Sequence, residues 1–397
     1  MTNQSSANQN QSNQTFKEAA MLILKQVKEE CIEDKEKALE IVSRDESVAK
    51  VIEWYENVPP HHLPDSEIMV IHNVEALVNI SFSEASEVQA MSIELKGDVD
   101  EFFLEHPVSL NKFQNLEYLQ VKNAPQAPFC LAGLNYLKTL KFHFIYDLVA
   151  LPQSLDTLSQ LEHLFIEGAN KITHIPEGIY SLTKLKTLVF SGLNKIKSIP
   201  DELGNLRALT TLEISTCGID IPDSIQELSS FQDLRISNYW AYTPYQAIYQ
   251  LKQLTTLGIN IDESSQFEGI ANLSNLKVLE VSGKNSQEAL GELPQLEGLI
   301  LNQYNAPHYP EVLGRLKKLK ALKIGSNYEL VNAPDFIPEL LHLKYLEIRG
   351  CDKLESFSSS YQKMKGLELI EIFYNKLVTE IPPHLKHLQE VIRLKTR

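Results

Sequence analysis

Few side chains here have the types and spacing that chemistry on a small molecule would need. His61 and His62 follow Pro59-Pro60, but two imidazoles alone cannot complete a tetrahedral site, so a solvated turn is expected there. The four cysteines, Cys31, Cys130, Cys217 and Cys351, fall in different elements and form no Cys-x-x-Cys pair, which reads as reduced thiols. There is no Gly-rich phosphate loop, no Gly-x-Ser-x-Gly elbow and no His-Glu-x-x-His. No cofactor or metal and no enzymatic activity are expected. What remains is contact chemistry. His163 and Phe165 stand two apart, and Val189 comes 24 residues after Phe165. Tyr239, Trp240, Tyr242 and Tyr245 crowd one short stretch, and Tyr304 and Tyr309 another. Large rings with polar tips suit recognition of a macromolecule.

The elements that must position these residues come from a repeat. The phrase Leu-x-x-Leu-x-(Leu/Ile) begins at Leu116, Leu137, Leu161, Leu185, Leu209, Phe231, Leu254, Leu276, Leu296, Leu319, Leu343 and Leu367, at intervals of 20 to 24. A weaker copy starts near Val88 and an incomplete one at Val391. A period of this size predicts a solenoid of stacked units. In each copy the leucines form a short parallel strand facing inward, and the third, fifth and seventh places alternate onto the other face. That face carries His163, Phe165, Val189, Glu213, Arg235, Tyr345, Glu347 and Phe373, predicted here as exposed partner-binding residues. The best copies continue as Ile-Pro-x-x-(Ile/Leu)-x-x-Leu, for example Ile175-Pro176 with Ile179 and Leu182. Proline fits the first turn of a short helix or 3₁₀ segment, because no backbone N–H is needed there. Tyr239, Trp240, Tyr242, Tyr245, Tyr304 and Tyr309 follow strands that lack the Ile-Pro turn. They either build a recognition rim or fill the space that turn would occupy.

These motifs make the chain resemble the leucine-rich repeat proteins over residues 88–397. The subtype is similar to intracellular arrays whose ninth position is Asn or Cys, as in Ras-signalling scaffolds and plant immune receptors. Cys217, Asn327, Cys351 and Asn375 match that position. The resemblance implies a buried ladder of these residues satisfying backbone groups between repeats. Ala169 and Leu193 interrupt it, with Asn170 and Asn194 one place later, as though a residue had been added before the turn. The fold class expected is a right-handed α/β solenoid, with a parallel sheet on the concave side and short helices or 3₁₀ turns on the convex side.

Domain organisation follows the composition. Residues 1–15 are polar and uncharged, the pattern of a disordered tail. Residues 16–58 read as helical, since Phe16, Ala20, Leu24, Val27 and Cys31 form one stripe. They serve as an N-terminal cap or as a separate interaction module. Residues 59–87 are expected to be a linker with short capping strands, and the array occupies 88–397. A net charge of −15 argues against nucleic acid and anionic membrane as partners. The absence of a basic, apolar leader points to the cytoplasm and argues against a surface adhesin. The run Arg315, Lys317, Lys318, Lys320 and Lys323 reads as solvated surface. Arg393, Lys395 and Arg397 in the last copy either blunt an open edge or leave it for weak self-association. The function expected is a non-catalytic scaffold for a protein or extended peptide, in signalling or host interaction. The alternative is an effector enzyme of ubiquitin-ligase type using the repeats as its targeting arm.

Overall fold

The computed structural model describes residues 68–95, 108–123, 129–215, 218–237, 243, 245–261, 264–283 and 288–395. The expected tail at 1–15, the helical segment at 16–58 and His61-His62 lie outside them. So do Cys31, Cys217, Tyr239, Trp240 and Tyr242. The described residues fall into two compact units, one ending at Asn260 and one beginning at Ile261.

The first unit opens with β1 (Met69–Ile71), α1 (Val74–Asn79), α2 (Phe82–Glu87) and β2 (Ala90–Glu94). The short strands expected before residue 88 are therefore mostly two helical turns. Their caps explain why. Asn73 accepts from the Ala76 N–H at 2.8 Å, and Ser81 with Glu84 forms a reciprocal capping box. The Lys112 ammonium then donates to the carbonyls of Leu77 and Ile80, satisfying orphan groups at the C-terminal end of α1. Met69 pairs with Met91 in parallel register, so strand stacking begins one unit earlier than the sequence motif.

Next come β3 (Val108–Ser109), β4 (Tyr118–Lys122), β5 (Phe129–Cys130), β6 (Thr139–His143), β7 (His163–Glu167), β8 (Thr187–Ser191), β9 (Thr211–Ser215) and β10 (Asp233–Ser237). The unit ends with α3 (Tyr245–Ile248) and β11 (Thr256–Asn260). Its sheet runs β1-β2-β4-β6-β7-β8-β9-β10-β11, with β3 and β5 forming a small separate pair. The second unit holds β12 (Val278–Ser282), β13 (Gly298–Asn302), β14 (Ala321–Gly325), β15 (Tyr345–Arg349), β16 (Leu369–Phe373) and β17 (Ile392–Lys395), paired in chain order. Pairing within both units is parallel and keeps the repeat register, as in Leu164↔Leu188 and Leu322↔Leu346.

The outer layer is built from 3₁₀ turns. Pro152, Pro176, Pro200, Pro222, Pro310 and Pro382 each stand immediately before one, as the cap. The proline carbonyl accepts the first bond, and the bonds then step by three: Leu155 to Pro152, Leu158 to Leu155, Leu161 to Leu158. With about three residues per turn, side chains three apart share one face. That geometry is why the motif spaces its leucines by three outside the strand. Leu155, Leu158, Leu161, Leu164 and Ile166 are all fully or almost fully buried, forming one continuous wall.

At the eighth place of eight repeats the backbone turns left-handed: Asn123, Phe144, Gly168, Gly192, Gln303, Ser326, Gly350 and Tyr374 all have positive φ. At Gly168 (φ 73°) a Cβ would come within 2.9 Å of the Tyr146 ring, so glycine answers two demands there.

The ninth-place ladder forms where Asn and Cys supply it. Asn375 accepts from the Cys351 N–H at 2.7 Å and donates to the Ile348 carbonyl, while Asn327 donates to the Ala306 carbonyl. Burial raises the Cys351 thiol to about 12, as befits a packing group. Where Ala169 and Leu193 take that place they are buried, and Asn194 donates to Asn170 on the surface instead.

Candidate functional site

The side chains at the third, fifth and seventh places stand on the sheet face opposite the leucine wall. All the residues expected there occupy it, but not with the expected exposure. Phe165 and Val189 face each other in register on β7 and β8, and both are only 2% exposed. The Lys141 ammonium lies 5.6 Å from the Phe165 ring centre. Tyr345 and Glu347 are likewise buried rather than exposed. His163, Glu213, Arg235 and Phe373 are half-buried.

Around Phe165 and Val189, this face of β7–β10 is polar. His163 Nδ1 lies 3.1 Å from the Thr187 hydroxyl, the Ser215 hydroxyl donates to Glu213 at 3.0 Å, and Arg235 sits 3.9 Å from Glu213. Thr187, Thr211 and Asp233 align across β8, β9 and β10 at the third place, and Ser191, Ser215 and Ser237 at the seventh. Glu167 gathers Lys141 and His143 around its carboxylate. Burial works to raise the Glu167 carboxyl, but the His143 hydrogen bond and the Lys141 charge hold it below the ordinary range.

The same face of the second unit is apolar and closed. Val278, Ile300, Ala321, Tyr345 and Leu369 form one buried cluster there. Beside it Lys323 and Glu347 make a 2.7 Å ion pair in which both side chains are under 5% exposed. Lys323 therefore leaves the solvated basic run in which the sequence placed it. The Tyr345 hydroxyl lies 2.8 Å from both Glu347 and Glu371. Burial and the Glu347 charge raise the Glu371 carboxyl, and burial lowers the Lys323 ammonium. The sequence signal for this cluster was the loss of alternation. Ala-Leu-Lys-Ile, Tyr-Leu-Glu-Ile and Leu-Ile-Glu-Ile carry apolar groups at adjacent places, as strands covered on both faces do.

The aromatic rim also divides. Tyr304 and Tyr309 are buried and stacked on each other, ring centres 4.7 Å apart, so they fill space instead of presenting a recognition edge. Tyr245 is half-buried, and its hydroxyl donates to the Asn260 carbonyl. Exposed rings occur elsewhere. Phe144 (45% exposed) stacks on Tyr146 (49% exposed), 5.9 Å between centres, in the loop after β6. Tyr374 packs its ring on the Arg349 guanidinium at 4.9 Å. Among the described residues no cluster of three His, Cys, Asp or Glu side chains could hold a metal ion, and no helix is long and apolar enough to cross a membrane.

An internalin from Listeria monocytogenes is similar in structure, with a TM-score of 0.55 at 17% identity over 80% of this chain and 88% of that one. A leucine-rich repeat protein of Leptospira interrogans gives 0.54 at 18% identity, over 83% of this chain and 88% of that one. The chain has the leucine-rich repeat fold. No protein-family model and no curated protein sequence matches it. At these identities the likeness concerns the leucine-rich repeat architecture, which hosts many activities, so function has to be argued from the surface.

Proposed function

We propose that this leucine-rich repeat chain is a non-catalytic scaffold that holds a protein or extended peptide against the open sheet face of its first unit. The observation that carries the reading is the polar strip over β7–β10. There His163, Thr187, Thr211, Asp233, Glu213 and Arg235 stand half-buried, in register, on a sheet whose other face is a packed leucine wall. Donors and acceptors fixed at strand spacing meet an extended chain or a flat protein surface without first being ordered. Glu213 and Arg235 supply opposite charges side by side, which favours a partner with its own alternating charge. Phe144 and Tyr146 on the neighbouring loop add apolar area at the edge. A cytoplasmic setting, in signalling or host interaction, is part of the proposal. It is supported by Cys351, a free thiol built into the core.

The test places a photo-crosslinking residue at Thr211 on the strip, or at the exposed Glu202 of an outer turn, in the full chain within native lysate. The expected result is one partner labelled from position 211, not from 202, and lost with Glu213→Arg. Equal labelling from both positions, or capture indifferent to Glu213→Arg, would overturn the reading.

A further inference from the structure

Phe144 puts a large ring at a backbone position that the next two repeats give to glycine. Its φ is 56°, against 73° for Gly168 and 74° for Gly192. Glycine takes that left-handed region without strain and phenylalanine does not. Burial does not compensate, because the ring is 45% exposed even with the His143 imidazole and the Tyr146 ring packed on it. Tyr374 makes the contrast. It has the same place and φ in its own repeat, but its ring is half-buried on the Arg349 guanidinium. Strained residues gather at ligand clamps.

The rim beside the two rings is low and polar. At Gly168 the Tyr146 ring takes the room of a Cβ, and at Gly192 the Asn170 Oδ1 stands 3.1 Å from where a Cβ would be. Asn194 donates to that oxygen at 3.1 Å. The Asn170 amide nitrogen donates to nothing among the described residues. Charges beside the rings cancel: Asp147 pairs with Lys171 at 2.6 Å, and Glu167 gathers Lys141 and His143. Exposed rings, a spare amide donor and balanced charge suit a neutral ligand rich in acceptors.

A proline-rich segment has that chemistry. In the polyproline II conformation its carbonyls bond to nothing within the chain, and proline has no N–H to offer. One turn of such a helix rises about 9.3 Å. Two strand steps, from the repeat of Tyr146 to that of Asn194, cover about 9.6 Å. We propose that the rim from Phe144 and Tyr146 across Asn170 to Asn194 binds a proline-rich segment of the partner. Prolines one turn apart then rest on the rings and over Asn194, and a carbonyl between them reaches the Asn170 amide. The proposal rests on the reading of the first unit as a holder of extended peptide, and names the chemistry of that peptide at the rim. Such a segment is ordered before it binds, so little entropy is lost.

The experiment titrates the full chain into fluorescein-labelled decaproline and follows anisotropy. Phe144→Gly is expected to weaken binding by at least about tenfold. It should melt no lower than the wild type, since glycine relieves the left-handed strain. Tyr146→Asn, which copies the residue of the next repeat, should weaken binding in the same way and serves as the second variant. No binding of decaproline at about 1 mM protein would overturn the proposal. Affinity unchanged in both variants would do the same. Binding of cellohexaose instead of decaproline would assign the rim to a saccharide, and a dimer dispersed by Phe144→Gly would assign it to a second copy; either result overturns the proposal. Partner labelling from Thr211 without decaproline binding removes the proline-rich chemistry alone. Decaproline binding without such labelling removes the strip instead.

Discussion

The open faces of the two units share one backbone pattern and carry opposite chemistry. At the third place of β7–β10 stand His163, Thr187, Thr211 and Asp233, all half-buried, with the His163 ring beside the Thr187 hydroxyl. At the same place of β12, β14, β15 and β16 stand Val278, Ala321, Tyr345 and Leu369, sealed beside a buried ion pair. The leucine wall behind them is equally tight in both. The repeat therefore sets where a side chain stands, and the variable places set whether that position meets water, a partner or another part of the chain.

The largest expected difference between the faces comes from breaking their ion pairs. Lys323→Ala leaves Glu347 charged and buried, and should destabilise by about 3–5 kcal/mol in denaturant unfolding. Arg235→Ala, at a half-buried 3.9 Å pair, should cost under about 1 kcal/mol. Similar losses for the two would erase the distinction. The Asn residues sharpen it next. Asn375→Ala orphans the Cys351 N–H and the Ile348 carbonyl, for about 1–3 kcal/mol, whereas Asn194→Ala should shift the unfolding midpoint very little, since its bond lies on the surface. Glycine comes third. Gly168→Ala meets both the left-handed backbone and the Tyr146 ring, and should cost more than Gly350→Ala, whose added Cβ finds its nearest neighbour at 3.7 Å; each loses about 1–2 kcal/mol from the backbone alone.

The smallest effect is a pair of opposite pH responses. Glu167 sits below the ordinary carboxylate range, so its contribution to stability is present above that range and is lost as pH falls through its lowered value. Glu371 sits above the range, so its contribution is complete in acid and is lost as pH rises through its raised value. Melting temperatures from about pH 3 to pH 7 should show the deficit of Glu167→Gln growing with pH. The same scans should show Glu371→Gln gaining on the wild type as pH rises. Parallel slopes would contradict the contrast between the faces.

Much of the architecture was legible because its signal repeats. Twelve copies of one phrase average out local ambiguity, and the Ile-Pro-x-x-Ile spacing is that of a 3₁₀ turn written into the chain. The early helices were misread although Ser81 and Glu84 spell a capping box, because Ile80 and Phe82 alternate as a strand would. The left-handed eighth place escaped notice, since only some of its residues are glycine. On the site, the faces of Phe165, Val189, Tyr345 and Glu347 followed from the repeat, but their burial was missed, although the lost alternation of β14–β16 signalled it for Tyr345.

By itself the sequence determined the period, the strand register and which face each side chain takes, because these follow from local geometry repeated many times over. Only the tertiary structure decided which outward residues are closed off, that Lys323 and Glu347 pair in a dry setting, and that Tyr304 and Tyr309 stack inside instead of forming a rim. Burial depends on what lies above a residue. The repeat period fixes the face a residue takes and says nothing of that layer.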